Sequence, residues 1–405
     1  MSERPGASLQ VLLVFGRLGL SSFGGPIAHI GYFRREFVER RRWLDETQFA
    51  GLLALCQFLP GPSSSQMGIA IGLRRAGIAG ALAAWVGFTF PSALLLVAFG
   101  LGVLDPGVLH HESWIHGLLV AAVAVVAQAV CAMSRQFCRT AAHWAFAGIA
   151  ALACLQGGAG LTQMAVIAAA AVAGWGLLRP PAEPPAAAPS QPIGLSRRAG
   201  AWCLLVFALL LAALPLAAML SASHALMLAD RFYRAGSLVF GGGHVVLPLL
   251  QAQVVPPGWI SNQLFLAGYG AAQAVPGPLF SFAAYLGATM LPQPHGWPGA
   301  VLCLAAIYLP SFLLVFGVMP FWDTLARRAD VRCALQGVNA AVVGVLFAAL
   351  CRPVFPSAIH GPADLAIAAI GLLLLVRARA PSWAVLLICT AGSVLLRAAI
   401  QASAG

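Results

Sequence analysis

Arg17 and Arg234 each stand inside an apolar run, ahead of a glycine-rich break: Phe23-Gly24-Gly25 follows the first and Phe240-Gly241-Gly242-Gly243 the second. A guanidinium within a membrane segment is costly to keep there and marks a functional site by default. Two of them reaching one cavity would suit a dianion, because guanidinium makes paired, charge-assisted bonds to oxygens set side by side. The bland alternative is that each side chain lies near a segment end and snorkels to the interface.

A second kind of chemistry comes from Pro60-Gly61-Pro62 and Pro276-Gly277-Pro278. Two prolines flanking a glycine remove helical hydrogen bonds and force a turn. A helix that restarts after the turn presents unpaired N–H groups and partial positive charge to an anion. The first copy adds Ser63, Ser64 and Gln66 as donors, whereas the second reads Leu279-Phe280-Ser281, so the two sites are not chemically equal. Against this stands the reading that the motif merely kinks a packed helix pair. Gln57 and Gln273 hold equivalent places and are candidates either to donate to a substrate or to tie two helices together. His29 and His244 follow the glycine-rich motifs at different spacings and read as caps of a broken helix or as proton carriers. Asn339, polar within an apolar span, completes the set.

These residues belong to a duplicated frame. Both copies read W-x5-F-x7-Q-x2-P-G-P, from Trp43 to Pro62 and from Trp259 to Pro278. Farther on, Pro91-Ser92 and Phe99-Gly100 return as Pro310-Ser311 and Phe316-Gly317. A repeat near 217 residues is a duplicated domain and far too long for a solenoid unit. With 60% hydrophobic and 9% charged residues, against about 25% charged in a soluble domain, the chain reads as an all-α polytopic membrane protein. Several apolar runs are shorter than the roughly 20 residues of a straight span, which predicts broken or tilted helices. Half-length helices are expected over 47–59 and 63–73, meeting at a re-entrant hairpin, and again over 262–290. No cleavable signal peptide is evident.

Charge writes the topology. The loop after the first glycine-rich motif holds Arg34, Arg35, Arg40, Arg41 and Arg42, and its counterpart from Gln251 to Asn262 holds no charge. The pattern then flips: Asp105 to Ser113 lacks arginine, while Trp322 to Arg332 carries Arg327, Arg328 and Arg332. Positive loops stay cytoplasmic, so the halves are expected to be inverted, an architecture of secondary transporters. The expected division is a first repeat over 1–178, a proline- and alanine-rich cytoplasmic linker over 179–198, an extra span over 199–222, and an inverted repeat over 223–405.

Other function classes lose support. Net charge of +11 reads as loop arginines that orient helices rather than as a nucleic-acid surface. No P-loop motif is present to bind ATP. No nucleophile and base arrangement supports an enzyme, and no cofactor is implied. The nine cysteines show no CxxC spacing, and His110-His111-Glu112 lacks a further ligand nearby in sequence, so no metal site is expected. All twelve acids fall outside the apolar centres, which leaves Glu36, Asp45 or His29 as coupling candidates and Arg34 and Arg35 as attractors at a cytoplasmic mouth.

At Phe23 to Gly31, Arg34 to Asp45, Gln57 to Pro62, Phe240 to His244, Gln273 to Pro278 and Gly337 to Ala341 the chain resembles the chromate ion transporter family in its long two-domain form. The resemblance implies export of chromate from the cytoplasm across a bacterial inner membrane, driven by ion gradients, with chromate resistance as the result. It leaves sulfate as the rival cargo, an importer or exchanger of small anions as the rival activity, and a channel or scaffold outside that class. Its partners would be chromate or sulfate and the lipid bilayer, with no nucleic acid and with a homodimer as a candidate assembly.

Overall fold

Where water is absent, every backbone N–H and C=O must find its partner within the protein, and helices do this segment by segment. The computed structural model describes residues 6–103, 112–157, 161–179, 195–221, 223–240, 243–378 and 380–404, and among them the regular elements are all helical. Gly241, Gly242, most of the 179–198 linker, the Asp105 loop and His110-His111 lie outside the described residues.

The first half runs α1 (Ala7–Ser21), α2 (Gly25–Arg34, continued by a π turn Arg35–Arg40), α3 (Glu46–Phe58), α4 (Ser63–Val103), α5 (Glu112–Phe137), α6 (Ala141–Gln156) and α7 (Leu161–Leu177). α8 (Arg197–Leu220) follows. The second half runs α9 (His224–Leu238), α10 (Val246–Val254), α11 (Asn262–Ala274), α12 (Phe282–Thr289), α13 (Gly296–Val318), the short α14 (Trp322–Ala326), α15 (Ala329–Ala349), the short α16 (Phe355–Ala358), α17 (Pro362–Val376) and α18 (Ser382–Ala404). The breaks fall where the local chemistry demands them. α1 ends at Ser22, which is extended, and α2 starts from Gly24 in the left-handed region. α3 ends at Leu59, extended before Pro60 as a residue preceding proline prefers. α4 bends at Ala76 and Gly77, so its first section is short, as the sequence suggests.

Within each half the same pair packs closely, α1 on α4 and α9 on α13. Gly19 and Gly236 hold equivalent places at these crossings. A Cβ on Gly19 would lie 2.7 Å from the Gly87 carbonyl oxygen, and one on Gly236 would run into the Ile307 backbone. Small residues let membrane helices approach this closely. Between halves the packing is exchanged: α15 lies against α6 and α7, while α5, its counterpart, lies against α17 and α18. Gly174 and Gly337 face each other where α7 crosses α15. Arg135 and Arg139 close α5, whereas Arg327, Arg328 and Arg332 open α15. With arginine on the cytoplasmic side, these equivalent helices run in opposite directions, and the repeat is inverted.

Among the described residues five helices are long and apolar enough to cross a membrane, and the apolar stretch of α8 is not buried inside the protein. Trp202, Leu209, Leu216 and Leu220 of α8 face outward. The outward-facing apolar side chains of this multi-pass chain form its lipid face.

The two proline-glycine turns are where the halves meet. Gly61 donates its N–H to the carbonyl of Val239 at 2.6 Å, and Gly277 donates to the carbonyl of Ser22 at 2.9 Å. Ser22 and Val239 are the equivalent residues that end α1 and α9, so each half caps the broken helix of the other. Both glycines need positive φ, 123° and 106°. Beyond the strain, a Cβ on Gly277 would meet Ser92 Oγ at 2.9 Å, and one on Gly61 would meet Ser311 Oγ at 2.9 Å. Gly277→Ala is expected to cost about 2–4 kcal/mol, the sum of left-handed strain and overpacking, read as a lowered thermal midpoint in detergent. Gly258→Ala, at φ 75° in a turn with open space around its Cβ, should cost only the strain, about 1–2 kcal/mol. Equal losses would mean that the crossing adds nothing.

Candidate functional site

The break between α1 and α2 opens the N-terminus of α2 without a side-chain cap. That terminus and the N-terminus of α18 line one cavity of about 340 Å³, through Gly24 and Gly25 on one side and Pro381 and Ser382 on the other. Gln128 of α5, Gln273 of α11 and His244 complete its polar lining, and Phe23, Val125 and Leu375 form apolar wall. No charged side chain appears in that lining among the described residues. The space would hold roughly ten waters at about 30 Å³ each, enough for a tetrahedral oxyanion with part of its hydration. Two helix N-termini aimed into a site without a carboxylate favour an anion through N–H donors and dipoles.

His244 sits on the short turn before α10, and a neighbouring network holds its ring. Nδ1 lies 3.0 Å from the Tyr269 hydroxyl and 3.4 Å from Gln273 Nε2. In the tautomer whose Nδ1 accepts from the Tyr269 hydroxyl, Nε2 carries the hydrogen. Nε2 points toward Gly25, whose added Cβ would come 4.0 Å from it. Beneath the cavity the crossing is tightly knit. The Ser22 carbonyl bonds both Gly277 N–H and His29 Nε2, the latter at 3.2 Å, and His29 Nδ1 lies 3.3 Å from Ser64 Oγ. Gln66 Nε2 donates to the Pro60 carbonyl at 2.6 Å. Ser22 Oγ, Gln66 Oε1 and Ser311 Oγ are buried there without a hydrogen-bond partner among the described residues.

A second cavity lies along one face of α2. Ala28 lines both the central cavity and this second one of about 400 Å³, bounded also by Gly31, Tyr32, Arg35 and Glu39. Those positions recur at three- and four-residue steps, one helical face. Arg35 lines this second cavity. Arg34 is not free to act there, since it is paired with both Glu39 and Glu46. Glu36 is buried against Arg41 at 2.5 Å and Arg40 at 3.2 Å. Burial alone would raise its carboxyl, but the bonds from Arg41 and Arg40 outweigh this and hold it below the usual glutamate value. Asp45 caps α3, accepting from Gln48 N at 2.7 Å while its own N–H reaches Gln48 Oε1. Glu36 and Asp45 are therefore engaged in building the loop.

The repeat supplies a counterpart. Pro248, Gln251, Ala252, Val255 and Pro256, on and just beyond α10, line a cavity of about 480 Å³ with Cys154, Gln163 and Arg352. Pro248 stands at the position equivalent to Gly31 counted from the glycine-rich motifs, so each vestibule is built along the helix that follows its motif. The α10 vestibule shares no lining residue with the central cavity, whereas the α2 vestibule does.

Several expected site residues stand elsewhere. Arg17 is exposed on the outer face of α1 beside Leu13 and Leu20, which are 65% and 62% exposed. Arg234 pairs with Asp230 one turn earlier on α9. Neither lines the cavity, so the expected convergence of two guanidiniums is corrected: helical periodicity turns Arg17 outward, and an internal acid claims Arg234. Asp230 is buried at 3% exposure, and Glu36 and Asp364 are also buried, so acids that lie outside the apolar runs are still enclosed by packing. Gln57 is exposed near the end of α3, while its equivalent Gln273 reaches the cavity. Ser63 begins α4 and Asn339 is half-buried in α15, both away from the lining. Pro60, Pro62, Pro276 and Pro278 frame the crossing, and Gly243 opens the turn that carries His244. Sequence reasoning missed Gln128, Tyr269 and Ser382. Gln128 could have been found as a lone amide in an apolar run, and Pro381-Ser382 as the start signal of a helix.

A family model described as chromate transporter matches residues 9–175 and 226–394. The chain is 27% identical to a probable chromate transport protein of Synechococcus elongatus over 84% of its length and 83% of the relative's. It is 27% identical to a chromate transport protein of Pseudomonas aeruginosa, with 83% and 79% covered. A chromate transport protein of Cupriavidus metallidurans is 28% identical, with 90% and 87% covered. No solved structure matches the chain.

The Glu36 cluster has a pH signature. Its folded value is depressed, so its stabilisation is complete above the ordinary glutamate value of 4.5 and is lost as pH falls through the lower folded value. In detergent, Glu36→Gln should melt earlier than the unchanged protein near pH 7, and the gap should close as pH falls below about 4.5. A gap that persists unchanged in acid would mean that the pairing does not set the stability of this loop.

Proposed function

Because the chain belongs to the chromate transporter family, we propose that it exports chromate from the cytoplasm by alternating access across a bacterial inner membrane, conferring chromate resistance, with sulfate competing as a near-isosteric dianion. The observation that carries this reading is the central cavity, where two helix N-termini, two amides and His244 gather with no carboxylate in the described lining. Backbone N–H groups bind tetrahedral oxyanions through such arrangements. Arg35 draws the anion to the mouth, and the α2 face leads it inward past Ala28. Gly25 and Ser382 N–H groups, Gln128, Gln273 and His244 Nε2–H then replace its hydration. The inverted pair of vestibules favours a carrier over a channel. Ala28 lines both the α2 vestibule and the central cavity, and rocking of one half against the other would open the α2 and α10 sides in turn. The functional division is the first repeat over 1–178, the linker over 179–198, the extra span over 199–222 and the inverted repeat over 223–405. Nothing in this scheme requires bond chemistry, and the protein works as a transporter rather than an enzyme.

Chromate uptake into inverted membrane vesicles tests the reading. Uptake should saturate and be inhibited by sulfate. Gln273→Leu should weaken it about 10- to 100-fold, the worth of one hydrogen bond to a charged group, while Gln57→Leu and Arg17→Ala stay near the unchanged protein. Loss of uptake in Arg17→Ala with Gln273→Leu intact would return the site to the arginines. Uptake without saturation would replace the carrier with a channel.

A further inference from the structure

His116, near the start of α5, is buried, and so is Asp364 in the first turn of α17. His360 lies in the turn just ahead of α17, with its side chain exposed. The ligand atoms of these three residues all fall within 4.8 Å of one another. His116 Nε2 stands 2.9 Å from Asp364 Oδ1, and Asp364 Oδ2 accepts the backbone N–H of His360 at 3.0 Å. The two imidazoles are stacked, with centroids 5.1 Å apart at 24°.

We propose that His116, His360 and Asp364 form a binding site for a transition-metal dication of the zinc type. A histidine-to-aspartate tie needs only one imidazole. Here a second imidazole is brought to the same carboxylate, and its ring makes no hydrogen bond to a described residue. Zinc bonds to histidine nitrogen and carboxylate oxygen run about 2.0–2.2 Å, which sets tetrahedral neighbours roughly 3.3–3.6 Å apart. The His116 and Asp364 atoms must part by a few tenths of an ångström to reach this, and the exposed His360 ring needs only a small swing inward. Two neutral nitrogens and one carboxylate select zinc, cobalt, nickel or copper over magnesium and calcium, which want oxygen ligands throughout. Three protein ligands leave a fourth position to water. Asp364 is already oriented by the His360 N–H, the outer support that carboxylate ligands ordinarily receive.

The place of the site gives it a consequence. α5 belongs to the first half and α17 to the second, and Arg135, Arg139 and Arg377 mark their opposite ends. The cluster thus lies at the arginine-poor, extracytoplasmic ends of both helices. A bound ion would staple the two halves together on the outer face, from a medium where metal ions reach it directly. This holds whatever anion the central cavity carries.

Zinc titration by calorimetry on the full-length protein in detergent tests the site, comparing the unchanged chain with His360→Ala. That variant removes one ligand yet keeps the His116 to Asp364 bond. About one zinc per chain should bind to the unchanged protein, and His360→Ala should weaken it at least tenfold, since even outer-sphere changes cost roughly 10- to 100-fold. Magnesium should give no heat attributable to this site. Thermal melts without metal report whether His360→Ala is intact. Should it melt early, the visible spectrum of bound cobalt in the unchanged protein decides, with a tetrahedral, histidine-type signature expected. Equal zinc affinity in both chains, or no zinc binding in the unchanged one, overturns the proposal.

Discussion

A helix broken inside a membrane leaves carbonyls without partners, and no water is at hand to satisfy them. In this protein each half answers that need for the other. The glycine of one proline-glycine-proline turn donates to the residue that ends the first helix of the opposite half, Gly61 to Val239 and Gly277 to Ser22. Each unsatisfied backbone group in such a setting costs several kcal/mol. The exchange therefore holds the halves in one register, with little freedom to slide. It also explains why the exchange extends outward, with α5 packed on the last two helices of the second half and α15 on those of the first.

The central cavity follows from the same constraint. Once Ser22 is committed to Gly277, the next residues, Phe23 and Gly24, must turn away, and α2 restarts at Gly25 with its N–H groups facing the space beside His244. The carbonyl needed for the crossing and the amides offered to an anion are products of one break. His29 supports the first by bonding Ser22, and His244 supplies the second, although both histidines follow the same kind of motif. The duplication thus keeps a common scaffold while letting the halves diverge in chemistry.

Divergence is clearest where charge is concerned. The α2 vestibule carries Arg35 and Glu39, whereas Arg352 is the one charged residue lining the α10 vestibule among the described residues.

The sequence by itself determined the membrane class, the duplication, the inversion and the places where helices break. All of these follow from local signals: apolar length, a repeated string of tryptophan, phenylalanine, glutamine and proline, loop arginines, and turns that proline and glycine enforce. Tertiary structure alone decided which polar groups meet. Arg17 and Arg234 look alike in sequence, yet one faces outward among leucines and the other is claimed by Asp230. Gln57 and Gln273 occupy the same register, yet only the second reaches the cavity. His116 joins Asp364 across 248 positions of chain. The physical reason is that helix breaks are written by neighbouring residues, whereas the face a side chain presents, and the partner it finds there, depend on helices packed from the other half.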